Sequence, residues 1–262
     1  MDSGIEKAKR DLPKLRRFAD DLITIVDELL SQPIRYKQND HLAFMALGFT
    51  CAQAEHLKAI CTLVDAGFHK DAVLIARTVI EGLCRLLWAA QMPEERPRLW
   101  RMFSIIDDFR IVDPEASKTN HELAKELKEK LKKYGPLFYT RKAKQAAKEG
   151  KPLPKDPYWP DWTGHNIRKI CSDAGGQELY IRIYRDVSCW VHWSPRGIGS
   201  SLDIEENRVR YTTQAPENAA TALATGFQAL LETALLLDSK LELGFSEPLQ
   251  QLRAEYIREL NN

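Results

Sequence analysis

Tyr184, Ser188 and His192 stand at successive four-residue intervals, and Arg185 lies seven residues before His192. On an α-helix that spacing places all four on nearly the same face, because seven residues make about two turns. Such a face offers a guanidinium whose planar donors suit a phosphate and an imidazole able to exchange a proton near neutral pH. The hydroxyls of Tyr184 and Ser188 can orient water or a substrate hydroxyl. The same residues equally suit a self-contained hydrogen-bond network, since buried polar groups need internal partners whether or not a reaction occurs. A second candidate group, Arg77 and Glu81, stands at i and i+4 within an otherwise apolar helix, as a charged pair on one face. This pair either meets the later helix, locking Arg185 and His192 or bringing Glu81 into proton management, or it serves packing alone.

The elements that must position these residues are helical. Apolar residues recur at helical spacing over 5–30, 40–67 and 69–91, with Pro13 as a candidate true start of the first helix and Gly67 as the turn between the second and third. The short connection there favours antiparallel packing, and the helix at 69–91 is apolar around so much of its circumference that it is expected at the bundle centre. Further helices are expected over 98–112, 117–134, 163–175, 178–193, 216–244 and 248–260, with prolines and glycines at their boundaries. Leu202 and Ile204, then Val209 and Tyr211, alternate as a small β-hairpin would. The fold class read from this pattern is all-α, an antiparallel helical bundle with additional peripheral helices and that hairpin at 201–213. The expected organisation is an amino-terminal helical region at 1–39, a central bundle at 40–244 with a basic and proline-rich excursion at 118–162, and a carboxyl-terminal helix at 245–262.

The chain of 262 residues is 44% apolar and 29% charged, enough to bury a substantial core behind a soluble surface and unlike a collagenous or wholly disordered chain. Its 38 Lys and Arg nearly balance 37 Asp and Glu, yet the balance is uneven along the chain. Residues 118–155 hold 12 basic and 4 acidic side chains, a local excess of 8. Lys128, Lys130, Lys132, Lys133, Arg141, Lys142, Lys144, Lys148, Lys151 and Lys155 are therefore candidate phosphate contacts, with Tyr134, Phe138 and Tyr139 beside them for packing or base stacking. A solvated helix and linker account for the same charges. Pro152, Pro154, Pro157 and Pro160 break helical continuity after the run, while Trp159 and Trp162 anchor it.

Arg185-Asp186 followed by His192 resembles the motif of the HEPN superfamily, whose nuclease members carry an arginine, an adjoining polar residue and a later histidine on one helix. The wider set Arg77, Glu81, Tyr184, Ser188 and His192 resembles a bacterial family, domain of unknown function number 5677, from about residue 41 to 193. The superfamily resemblance implies metal-independent RNA cleavage with no cofactor, in which a ribose 2′-hydroxyl attacks the adjacent phosphate. It assigns proton transfer to His192, phosphoryl stabilisation to Arg185 and orientation to Asp186. It further implies a homodimer with a shared cleft, and a toxin or antiviral defence role with an antitoxin or other acidic protein as partner. A noncatalytic helical module binding RNA or protein is the alternative.

Other signals point to structure. The six histidines form no zinc constellation, and His121-Glu122 lacks the second histidine of the metalloprotease helix, so no metal is expected. Gly197 and Gly199 lack the residues of a phosphate-binding loop. Five dispersed cysteines, Cys189 among them, and the absence of a long uninterrupted apolar run read as a cytoplasmic protein without membrane association.

Overall fold

The computed structural model describes residues 4–111, 121–185, 187–188, 202–205, 208–211 and 215–260. In chain order the helices are α1 (Gly4–Ser31), α2 (His41–Asp65), α3 (His69–Ala90), α4 (Arg96–Ile111), α5 (His121–Tyr134), α6 (Arg141–Lys148), α7 (Ile167–Asp173), α8 (Gln177–Leu179), α9 (Pro216–Leu241) and α10 (Ser246–Leu260). A 3₁₀ turn, Gly135–Phe138, follows α5, and a π turn, Tyr180–Tyr184, follows α8. Strands β1 (Leu202–Glu205) and β2 (Arg208–Tyr211) pair antiparallel, with Leu202 opposite Tyr211 and Ile204 opposite Val209. Residues 201, 206–207 and 212–213 of the expected hairpin lie outside the described residues. The molecule is an all-α bundle with peripheral helices, and it divides into two compact units: residues 1–91 with 167–262, and residues 92–166.

In the first unit the centre is α9, which packs against α1, α2 and α3. The apolar circumference of α3 suggests that helix for the role, but α9 carries what three neighbours require: a buried run of small residues, Ala219, Ala222, Gly226 and Ala229, that lets other backbones approach closely. Gly226 shows the tightness, since a methyl group there would meet Leu57 Cδ1 at 2.8 Å and Ile60 Cδ1 at 3.1 Å. Helix α9 is long and apolar enough to cross a membrane by length and composition, and 61% of its most apolar window is buried inside the fold.

Caps and breaks explain the helix bounds. Asp40 accepts the Ala43 amide at 2.9 Å and so starts α2 where a side-chain cap is expected. Pro13 does not start α1; the helix runs through it from Gly4. Ala8 and Asp11, upstream of the proline, are buried against the bundle, so packing retains a turn that loses one backbone hydrogen bond. At the far end α9 stops with Glu242 in the left-handed region at φ 52°, and buried Asp238 accepts the Phe245 amide at 2.8 Å and the Ser246 hydroxyl, which fixes the start of α10.

Helix α10 closes the core with a ring cluster. Tyr256 stacks on Phe227 at 4.3 Å between centroids, and Phe18 meets Tyr256 edge-on at 5.4 Å. Burial pushes the Tyr256 phenol up to about 12 from its usual 10. The folded state thus holds this proton more tightly than the unfolded state, so the associated stability is complete below pH 10 and is lost as pH rises through 12. Wild-type stability is expected to fall by roughly 2 kcal/mol more than that of Tyr256→Phe across this window, a difference that urea melts at stepped pH will read.

The second unit is built on aromatic contacts. Phe138 meets Phe103 at 5.2 Å and Trp159 at 6.2 Å, both edge-on, and Tyr158 contacts Phe109 and Tyr139. The Thr140 amide donates to the Pro157 carbonyl and the Trp159 amide to the Phe138 carbonyl, each at 2.8 Å, so the proline-rich segment runs against the 3₁₀ turn. Arg110 pins it further through Asp156 at 3.1 Å and the Trp159 carbonyl at 2.8 Å. Phe138 is fully buried and Tyr139 half-buried, so packing accounts for these rings. Helix α6, capped by Thr140, occupies a stretch whose charge content reads as a solvated basic linker. Residues 117–120, expected to open α5, lie outside the described residues.

Candidate functional site

Arg77, Glu81 and Arg85 succeed one another at four-residue spacing along α3, half-buried on one side of a helix whose other faces form the core. Opposite them is Tyr184, 9% exposed, at the end of the π turn. The Arg77 guanidinium lies over the Tyr184 ring, 4.4 Å from its centroid, and Nη2 donates to the phenol oxygen at 2.7 Å. The phenol in turn donates to Glu81 Oε2 at 3.4 Å, and Glu81 Oε1 accepts Arg85 Nη2 at 2.7 Å. Tyr180 stacks on Tyr184 at 5.3 Å, completing the support from the turn itself. The result is a hydrogen-bonded chain, Arg77, Tyr184, Glu81 and Arg85, in which a neutral phenol bridges a cation and an anion and ties two segments 107 residues apart.

Burial raises the Tyr184 phenol pKa, the Glu81 charge adds to the rise, and Arg77 opposes it. Tyr184 therefore stays protonated at neutral pH and acts as a donor. Beneath this chain two buried thiols, Cys84 on α3 and Cys171 on α7, hydrogen-bond to each other; that bond, then burial, pushes Cys84 far above the ordinary thiol range. Cys84 is held as an unreactive thiol.

The expected pairing of Arg77 with Glu81 is replaced by a division of labour: Glu81 turns forward to Arg85, leaving Arg77 for Tyr184. Arg85 is a residue that sequence reasoning missed. Its signal was present, because a carboxylate four residues before an arginine is the better oriented helical pair. Ser188 donates to the Tyr184 carbonyl at 2.6 Å, so its hydroxyl is used by the helix backbone. Arg185 is exposed and occupies a helical position directly after Tyr184. Asp186, Cys189 and His192 lie outside the described residues. The helix expected over 178–193 opens as the short α8 and passes at Tyr180 into a π turn, whose wider ring changes the register before Arg185.

The basic candidates belong to the second unit. Lys128, Lys130, Lys132, Lys133, Arg141, Lys142, Lys144, Lys148, Lys151 and Lys155 are all exposed. Lys130 pairs with Glu126 and Lys151 with Glu149, while Lys144 and Lys133 lie over Trp159 and Tyr134. The remaining six have no ion-pair partner among the described residues. No group of three or more His, Cys, Asp or Glu is placed to hold a metal among the described residues.

The fold and this cross-linked polar chain define a helical bundle whose third helix carries a charged ladder against a late aromatic turn. The chain belongs to the family of unknown function DUF5677, which matches residues 43–209. The match runs from Ala43 in α2 to Val209, halfway along β2, and ends before α9, so the central helix lies beyond it. No curated protein and no solved structure matches the chain.

Proposed function

We propose that the protein is a metal-independent endoribonuclease in which Arg185 stabilises the phosphoryl group and His192 transfers the proton. The observation carrying this reading is the Arg77–Tyr184–Glu81 lock, which fixes the backbone immediately before an exposed arginine. A phosphate contact needs that placement: a charged donor at the surface whose main chain cannot drift. In the reaction the ribose 2′-oxygen bonds to phosphorus as the 5′-oxygen leaves, with His192 managing proton movement and Asp186 orienting the site. Six cations of the second unit that have no ion-pair partner among the described residues support backbone contact with RNA, a sequence-independent attraction that weakens with salt. The resemblance of Arg185-Asp186 and His192 to HEPN nucleases extends the proposal to a cytoplasmic homodimer with a shared cleft, acting in defence or as a toxin restrained by an acidic partner.

Arg185→Ala and His192→Ala are each expected to reduce cleavage of single-stranded RNA by about a hundredfold or more, with unchanged circular dichroism and no dependence on chelator. Intact RNA after incubation with folded wild-type protein, with and without divalent metal, would overturn the enzyme. A second reading is a noncatalytic helical module that binds RNA or an acidic protein. It is favoured by the degree to which Arg77, Glu81, Tyr184 and Ser188 satisfy one another. Unaltered RNA binding by His192→Ala without any cleavage by wild type would select it.

A further inference from the structure

Two thiols of the first unit meet in one buried spot. Cys84 on α3 is 1% exposed and Cys171 on α7 is 0% exposed, and the Cys84 thiol donates a hydrogen bond to the Cys171 sulfur. Helices α3 and α7 pack directly on one another, so the two sulfurs already face each other in the folded chain. Cys61, buried on α2, is pushed up to about 11 by burial and has no such sulfur partner among the described residues. The hydrogen bond divides the pair into unlike members. It keeps the proton on Cys84, and it lowers the Cys171 pKa against the opposing effects of burial and of Glu81.

Access comes from α7 itself. The helix has seven residues, only Ile170 and Cys171 of them buried, and Gly175 turns the chain just beyond it at φ 78°. A helix this short does not stand on its own hydrogen bonds. Local opening of α7 therefore uncovers Cys171, while Cys84 stays within the 22 residues of α3. We propose that Cys84 and Cys171 are a redox pair that a hydroperoxide closes into a disulfide, Cys171 attacking the oxidant and Cys84 resolving the product. With hydrogen peroxide, Cys171 Sγ bonds to one oxygen, the O–O bond breaks, and the other oxygen leaves as water with the Cys171 proton. Cys84 Sγ then bonds to Cys171 Sγ, the S–O bond of the sulfenic acid breaks, and its hydroxyl leaves as a second water with the Cys84 proton. The two thiols lose two electrons and the peroxide gains them. The new bond pins α7 to α3, and α7 packs on α8 and on the π turn that carries Tyr184.

The inference is independent of the proposed nuclease. To test it, the reduced full chain is treated with roughly millimolar hydrogen peroxide, free thiols are alkylated in denaturant, and the peptides are mapped by mass spectrometry. A linked Cys84–Cys171 peptide, lighter by two hydrogens than the reduced pair, is expected in most chains, with Cys61 still alkylated. The oxidised chain should melt about 5 °C or more above the reduced one, and dithiothreitol should reverse the shift. In Cys84→Ser the reaction stops at the sulfenic acid, so dimedone should label Cys171 about tenfold more than in wild type. In Cys171→Ser, Cys84 should take up about tenfold less dimedone than Cys171 does in Cys84→Ser. The wild-type linkage needs no substitution, so it decides the matter even if a serine variant misfolds. Three results would overturn the pair: no linked peptide while the exposed Cys51 is oxidised, Cys171 linked to Cys51 or Cys61 as often as to Cys84, or stronger labelling of Cys84 than of Cys171.

Discussion

Gly226→Leu is expected to destabilise the bundle by about 3 kcal/mol or more, the largest loss for any single residue considered. Even the first added carbon would stand 2.8 Å from Leu57 Cδ1 and 3.1 Å from Ile60 Cδ1, and both leucine and isoleucine are themselves fully buried. Neither has room to yield, because Leu57 and Ile60 belong to the same continuous core as Phe18, Leu223 and Phe227. Leucine adds three further carbons to that clash. Gly226→Ala separates packing from helix propensity: alanine gains about 1 kcal/mol as a better helix former and loses at least as much to the contact. Urea melts of the two variants should therefore show a small shift for alanine and a large one for leucine. A leucine variant with the wild-type midpoint would mean that α2 and α9 are not packed as closely as described.

The second large effect concerns Arg77. Arg77→Ala removes a hydrogen bond from a charged donor, worth about 1.5–3 kcal/mol, and a guanidinium–ring contact of about 0.5–1 kcal/mol at a partly exposed site. Arg77 is half-buried, so water recovers part of this, and a net loss of about 2 kcal/mol is expected. Tyr184→Phe deletes the shared oxygen, and combining the two changes should cost at least about 1 kcal/mol less than the sum. Strict additivity would sink the lock. If the nuclease proposal holds, both single variants should lower kcat about tenfold with KM little changed, since neither side chain is proposed to contact RNA. Ser188→Ala serves as the control, because its hydroxyl serves the Tyr184 carbonyl and its loss should cost under about 1 kcal/mol.

How much of this was readable in the chain varies with the physics. Helices α1, α2, α3 and α9 announce themselves through long apolar periodicity, and Asp40 and Gly67 mark ends through capping and a positive φ of 82°. Helix α6 escaped because its apolar stripe, Ala143, Ala146 and Ala147, spans barely one turn, is made only of alanines with Ala143 alone buried, and sits inside a run dominated by basic residues. The π turn escaped for a different reason. Tyr180 and Tyr184 are four apart, as an α-helix would have them, so their spacing carries no mark of the wider backbone winding between them. At the site, the identities of Arg77, Glu81 and Tyr184 were legible, but their connections were not. Whether Glu81 turns back to Arg77 or forward to Arg85 depends on what Arg77 finds across the interface, and that partner is 107 residues away.

The position of α9 at the centre of the first unit has a consequence for biosynthesis. Helices α1, α2 and α3 leave the ribosome well before their common partner, because the whole of the 92–166 unit is translated in between. At about 5–20 residues per second, the apolar faces carrying Phe18, Leu57, Ile60 and Val79 wait several seconds or more for Leu223 and Phe227. During that interval the nascent chain exposes the apolar faces that α9 will cover, and a fragment truncated before α9 is expected to aggregate through them.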